Sequence, residues 1–480
     1  MKKILSLILL LSLLLTTAAC GTAEELVTLP PESTAEETQT SPATEQEDTF
    51  TEEEMPDSET EEWETAEKNT EEEDPPLTEE TPSSDYTPTI RNPLTWTQVN
   101  ALPIANASMS VQQLRDICWE FMAFQLNIGW TPNADFTSRE REDVAYRAGT
   151  LYGGMPYCHK SFTNLYQMMY YYNDQTGEMD IERLKANGIA TAIRDNFDQL
   201  NDVSAQFSNQ CSSSTLWAWS RVSDQVAWDG SDEVLPHRGA VILGDALSAH
   251  LKAYYPNLKN YSADKIYTAD ILKSAGQKTV FEAYALLQKA DGLVQYKAAG
   301  GHVRMVHHVD LDTQTVYLQE QTYGREKSGT THPGAYKGVS FAKLFSDGYI
   351  PFTIPEFVGK SPVEQGSVSF SHSVATATVG ELLSATVSSS YMISDVTVTV
   401  SDADGKEKAE YFYTSSVNYY LFAGQAQSRT PLRLKGGKGE HLGATEAQFA
   451  PYADGQHTVR IRVRISTGEV FDVYSGKLVK

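Results

Sequence analysis

Two hydrophobic periods follow one another along the chain, and the switch between them divides it. In "SVQQLRDICWEFMAFQLNIGW" Leu114, Cys118, Phe121, Met122 and Leu126 recur at helical spacing, with Ser108 or Ser110 in place as a cap. Further helices are predicted at "SREREDVAYRAGTLY", at "TNLYQMMYYY", and as two short segments within "ADKIYTADILKSAGQKTVFEAYALLQKADG". "GLVQYKA", "GHVRMVHHVDL" and "TVYLQEQTY" then read as strands, the last two joined through Asp312-Thr313-Gln314. Helices followed by consecutive antiparallel strands predict an α+β fold, not a doubly wound sheet. After Pro355-Glu356 the period shortens to two. "GSVSFSHSVATATVG", "LLSATVSSS", "DVTVTVSD", "AEYFYTS", "HTVRIRVRIS" and "VFDVYSG" are short alternating strands with turn signals between them. That pattern predicts an all-β, immunoglobulin-like sandwich over residues 362–480, a spacer or binding module. Its "VRIRVRI" stretch reads as the alternation of an exposed face, not as a basic binding strip.

Before residue 93 neither period appears. "MKK" followed by "ILSLILLLSLLL" and "TTAAC" has the basic, apolar and small-residue parts of an export signal, too short for a comfortable membrane span. Cys20 after Ala18-Ala19 resembles the bacterial lipobox, with Thr17 where leucine is usual. The resemblance implies cleavage before Cys20, a diacylglycerol on its thiol, and anchoring to the outer face of the cytoplasmic membrane. Plain secretion with Cys20 incidental is the other reading. Residues 21–92 are rich in Glu, Thr, Pro and Ser; they bury too little to fold and predict an acidic, disordered stalk.

Charge changes meaning once it is located. Of the formal net charge of -26, residues 91–480 carry only -5, because 24 acidic residues stand against Lys68 alone between Gly21 and Ile90. The folded part is nearly neutral and has no basic stripe with interleaved aromatics, so nucleic acid is not an expected partner.

Besides Cys20, three thiols remain: Cys118, Cys158 and Cys211. Three is odd, so at least one is free, and a disulfide framework is excluded. Cys118 lies on an apolar helical stripe and reads as core. Cys158 stands beside Tyr157 and His159, where no helix start is indicated. Cys211 follows the turn-forming Asn209-Gln210 and precedes Ser212 to Ser214 and the apolar "TLWAW". A helix N-terminus lowers a thiol's pKa, and its free N–H groups can hold an oxyanion. Trp217 and Trp219 read as core. A base is offered by His302, placed at a strand start behind two glycines. Gln319, Glu320 and Gln321 on the next strand fall roughly across from His302 and Val303. Glu320 shares parity with Val316 and Leu318, so it faces inward with them and makes the best orienter. His307 and His308 fall on opposite faces of one strand and cannot converge on one ion. No CxxC or HExxH spacing occurs, so neither a metal nor another cofactor is predicted.

These residues resemble the NlpC-type, papain-like cysteine peptidases of bacterial cell walls. "QCSS" stands where that family has "DCSG", "GHV" matches its histidine strand, and "KADGLVQY" (Lys289–Tyr296) echoes its "PGDLV". "GTLYGGMPY" is similar to its "G-x-PY" element, whose tyrosine lies near the nucleophile; Tyr157 takes that place. Cys211 and His302 are 91 residues apart, longer than in compact members, which implies an insertion near residues 225–275. The resemblance implies a peptidase domain over 93–358 with Cys211 as nucleophile, His302 as base and Glu320 as orienter. Tyr157, Gln210 and Ser212 would meet the substrate, an amide bond in a peptidoglycan stem peptide. A monomer is expected. Two rivals stand beside this: a catalytically silent surface-binding lipoprotein on the same scaffold, and transglutaminase- or amidase-like acyl transfer on protein side chains.

Overall fold

The computed structural model describes residues 89–137, 145–158, 163–191, 207–228, 237–238, 240–254, 267–297, 300–322, 335–414, 432–435 and 441–480. All of these fall within one compact unit, Glu71–Lys480. Cys20, the signal segment and the expected stalk up to residue 88 lie outside the described residues. The end of the expected stalk is structured: Arg91 bridges Ile128, and its N–H donates to the Asn127 carbonyl at 2.7 Å.

The fold mixes helix and sheet, with several separate sheets. The long amphipathic helix is Val111–Asn127, capped by Ser110, whose side chain accepts from the Gln113 N–H. Leu165–Tyr170, Thr268–Ala275 and Gln277–Tyr284 are the other predicted helices. "SREREDVAYRAGTLY" is not helical where it is described. Ala145–Tyr146 pairs with Phe136–Thr137, and Tyr152–Gly153 pairs with Gly129–Trp130. Gly149, at φ 76°, turns the chain between them through a conformation a helix cannot use. Trp130 drives the choice, with ring centroids 5.4 Å from Tyr146 and 5.0 Å from Tyr152.

A six-stranded antiparallel sheet carries the predicted strands. Its order runs Ala335–Ser340, Thr315–Glu320, Gly300–Asp310, Gly292–Lys297, Ile350–Thr353, Val241–Ile242. The helix Cys211–Trp219 is wholly buried between Val111–Asn127 and this sheet. Trp217 and Trp219 are 1% and 0% exposed, so they are core. A buried ion pair ties helix to sheet: Arg115 Nη1 lies 2.8 Å from Asp291 Oδ1, which also accepts from Thr353 Oγ1.

Beyond residue 362 two sheets enclose a second core. One has the order Val368–Phe370, Thr386–Ser389, Leu432–Lys435, His441–Ala444; the other runs Thr376–Thr378, Val470–Val479, Thr458–Ile465, Ile393–Ser401, Glu407–Thr414. The predicted strand "LLSATVSSS" begins only at Thr386, because its first residues belong to a helix, Val379–Ser384, at whose start Thr378 and Glu381 cap one another. The two parts are joined by buried polar contacts. Asn164 Nδ2 and Gln167 Nε2 donate to Ser394 at 3.0 and 2.6 Å, and Ser466 Oγ donates to the Ser220 carbonyl at 2.8 Å.

Candidate active site

Cys211 is the first residue of its helix, and the turn before it is held from several directions. The Gln210 N–H donates to Ser213 Oγ at 2.9 Å. Tyr157 and Asn209 form a parallel bridge, in which the Cys158 N–H donates to the Asn209 carbonyl at 3.0 Å. Gln125 ties both sides of Cys211: Oε1 accepts from Asn209 Nδ2 at 3.0 Å, and Nε2 donates to the Ser214 carbonyl at 3.0 Å.

His302 is the third residue of its strand, which starts at Gly300 and not at the histidine itself. The two glycines have separate jobs. Gly300 sits at φ 121°, a region that disfavours side chains. At Gly301 a Cβ would stand 2.6 Å from the Tyr296 ring, so a side chain there would push the strand away.

The strand register differs from the expected one by about two residues. Met305 faces Gln319, which places Glu320 beside Arg304, and the carboxylate reaches His302 diagonally. Glu320 Oε2 accepts from His302 Nε2 at 2.6 Å and from Arg304 Nε at 2.6 Å, on a side chain only 3% exposed. Of the three polar residues open as orienter, Glu320 is the one that meets the imidazole. Gln319 donates to the Trp119 carbonyl at 3.4 Å, and Gln321 to the Met155 carbonyl at 2.8 Å, bracing the loop that carries Tyr157.

With Nε2 given to Glu320, the other ring nitrogen of His302 is left for the Cys211 thiol, and the two side chains are hydrogen-bonded. The Val303 N–H and the Tyr157 hydroxyl also favour the charged form of the sulfur. Burial by itself would push the thiol up; the charge and hydrogen bond of His302, aided by Val303 and Tyr157, outweigh it and hold Cys211 below the ordinary thiol range. On His302 the balance runs the other way. Burial would lower it, but the Cys211 thiolate and the Glu320 carboxylate carry it up to about 9. Both shifts favour the thiolate–imidazolium form of the pair. It is reachable, since 21% of the His302 side chain remains exposed.

The remaining predicted residues are placed as follows. Gln210 is 7% exposed, and its Nε2 has no hydrogen-bond partner among the described residues. Ser212 is buried at 4%, its carbonyl accepting from Thr215 Oγ1 at 2.9 Å. Cys118 is fully buried, and its thiol is pushed far up by desolvation, as a core residue's should be. Cys158 is buried beside the isolated bridge of Tyr157 with Asn209. One sequence argument fails: His307 and His308 do not lie on opposite faces. A bulge between Val306 and His308 turns them together, with their Nδ1 atoms 2.9 Å apart and the Tyr336 hydroxyl 2.9 Å from His307. Among the described residues no group of three metal-ligating side chains forms.

Three participants escape sequence reasoning. Arg304 shares parity with His302, and the "HVR" alternation could have signalled a second cation on Glu320. Gln125 is a polar interruption in the apolar run "FMAFQLN", which is unusual enough to mark it. The Val303 N–H has no sequence signal.

No family model matches the chain, and no curated protein matches it. Among solved structures, the fibronectin(III)-like modules of Clostridium thermocellum CbhA are similar over 40% of this chain and 78% of that one, at 12% identity and a TM-score of 0.14. A likeness of that size carries no argument about function.

Proposed function

We propose that this chain is a cysteine hydrolase that cleaves an amide bond through Cys211, His302 and Glu320. One observation carries the reading: a buried thiol at a helix start lies against an imidazole whose far nitrogen is fixed by a carboxylate at 2.6 Å. Structural core cysteines have no such company; Cys118 is the contrast within the same chain.

The chemistry follows from the placement. The Cys211 thiolate attacks the scissile carbonyl and forms the C–S bond, driving the carbonyl electron pair onto oxygen. The N–H groups at the start of the helix and the Gln210 side-chain amide would hold that oxyanion. The intermediate collapses as the C–N bond breaks, and His302 gives its proton to the departing amine. Neutral His302 then takes a proton from water, whose oxygen displaces the thiolate from the thioester and restores the ion pair. Glu320 holds the ring in place and stabilises its cationic form.

The resemblance to NlpC-type peptidases gives the substrate: a peptidoglycan stem peptide, met by an exported, lipid-anchored protein with a papain-like domain and an immunoglobulin-like module. Ala290 adds support to the match of "KADG" with the family's "PGD". It stands at φ 66°, where glycine is at ease, and its carbonyl accepts from Trp219 Nε1 at 2.7 Å. The test compares purified wild-type and Cys211→Ala protein on muropeptides, with glutamine-containing proteins as a second substrate. Release of a new amine from muropeptides by the wild type only is expected. An identical muropeptide profile for both proteins would remove the hydrolase reading, and release or crosslinking on proteins alone would move it to transglutaminase-type chemistry.

A further inference from the structure

The "VRIRVRI" strand has a face that the hydrolase reading does not use. On Thr458–Ile465 the residues Val459, Ile461, Val463 and Ile465 are all 0% exposed, pointing into the second core. Arg460, Arg462 and Arg464 therefore share the opposite face. Arg460 is paired with Asp472 at 2.6 Å in the open. The other two are not in the open: the helix Leu165–Tyr170 is docked over this face through Ser394, and a cavity of about 380 Å³ remains between them. That volume lies in the range that holds a small ligand.

The walls are of three kinds. Trp96, Tyr166, Tyr172 and Phe412 supply aromatic surface. Asp395, Glu410 and Thr397 supply acceptors, Glu410 already taking the Tyr170 hydroxyl at 2.9 Å. Arg183, Arg462 and Arg464 supply guanidinium groups, so three cations face two carboxylates. The cations are also unevenly matched. Arg183 lies 3.6 Å from Glu410 and over the Tyr170 ring at 4.0 Å. Arg464 reaches Asp395 only through Nε, at 3.4 Å, and is steadied against Trp96 and Tyr166 at 5.1 and 4.9 Å from their centroids. Arg462 makes no ion pair with a described residue. A guanidinium stacked on rings keeps its N–H edge in the plane, pointed away from the rings, in the geometry that takes a carboxylate on two donors.

We propose that this seam binds an acidic saccharide unit, with its carboxylate on Arg462 and Arg464, its ring against the aromatic wall, and its hydroxyls donating to Asp395 and Glu410. The two carboxylates decide the class. They would repel a polyanion such as a nucleic acid, whereas a ligand with one negative charge and several hydroxyls satisfies both signs at once. This site is separate from Cys211 and does not rest on the proposed reaction.

The experiment is calorimetric titration of the full folded chain with a panel of uronic, muramic and sialic acid oligosaccharides, each beside its carboxyl-reduced counterpart. At least one acidic member is expected to bind, with its reduced counterpart at least tenfold weaker. Arg462→Gln should weaken binding at least tenfold, and Val470→Trp at the exposed rim of the cavity should block it without touching the buried seam. Cys211→Ala should bind as the wild type does. Absence of binding across the panel, equal binding of reduced sugars, survival of binding in both variants, or full displacement by inorganic phosphate at matched ionic strength would each overturn the proposal.

Discussion

Glu320 lies 2.6 Å from His302, and the same oxygen, Oε2, is 2.6 Å from Arg304. One carboxylate thus serves two cations, and its side chain is almost shut off from water. Arg304 is itself steadied over the Tyr349 ring at 4.4 Å. Two cationic partners on one oxygen offset the desolvation cost that a buried carboxylate otherwise carries.

Glu320→Gln removes the charge and keeps the size. Amide cleavage is expected to fall roughly 10²- to 10⁴-fold, the span seen when a histidine loses its anionic partner. The direction of the pH effect is fixed as well. Glu320 raises the His302 pKa, so its neutralisation moves the alkaline limit of activity below about 9. Measuring kcat/KM against pH for both proteins tests this; an unmoved alkaline limb would show that Glu320 does not act on the imidazole.

The wild-type profile carries its own prediction. The His302 pKa is raised, so the imidazolium that protonates the leaving amine is present below about 9 and lost as pH rises through it. The Cys211 pKa is lowered, so the thiolate persists on the acid side of the ordinary thiol range and is lost only as pH falls through that depressed value. Iodoacetamide should therefore alkylate Cys211 near pH 6 faster than it alkylates a free model thiol, while hydrolysis declines above about pH 9. Alkylation that tracks the model thiol at every pH would rule out the ion pair.

Much of this site is legible in the sequence because its residues sit at element starts and on strand parity, which are local properties. Cys211 is separable from Cys118 by helical stripe alone, whereas the parity of Leu318 favours Glu320 without excluding Gln319 and Gln321, which are buried as well. Distance along the sheet was not separable. The bulge at Val306 shifts the register, brings Arg304 opposite Glu320 and turns His307 toward His308, and bulges leave little trace in a pattern of apolar positions. Likewise the stretch from Ser138 to Tyr152 has helical-looking spacing, yet Trp130 recruits Tyr146 and Tyr152 into short strands. Tertiary packing there overrides local period.

The ion pair of Arg115 with Asp291 gives a stability prediction independent of catalysis. Both side chains are at most 3% exposed, and Asp291 Oδ2 also accepts from the Gln288 N–H at 2.7 Å. Asp291→Ala leaves a buried guanidinium unmatched and should cost about 3–5 kcal/mol, whereas Arg115→Met with Asp291→Leu should cost much less. Urea unfolding of the two variants separates the cases. Equal losses would mean that packing, not charge, fixes the helix on the sheet.

Gln210 provides the sharpest separation between holding the thiol and holding the transition state. Its Nε2 is buried without a partner among the described residues, in the residue that precedes Cys211. An unpaired buried amide donor costs about 1–3 kcal/mol, a penalty that a folded chain gains nothing from unless the donor is used later. The use proposed is at the oxyanion, which exists only during reaction. Gln210→Leu should then raise the unfolding midpoint or leave it unchanged, since it removes the unpaired donor and keeps most of the bulk. The same substitution should slow amide cleavage by about 10²-fold, the usual effect of deleting one oxyanion donor. Iodoacetamide alkylation of Cys211, which passes through no oxyanion, should proceed at the wild-type rate. If alkylation fell together with hydrolysis, Gln210 would be positioning the thiol and not stabilising the transition state. If neither moved, the donor would have no part in the chemistry. A variant more stable and less active, with an unaltered thiol, is the outcome that assigns Gln210 to the oxyanion.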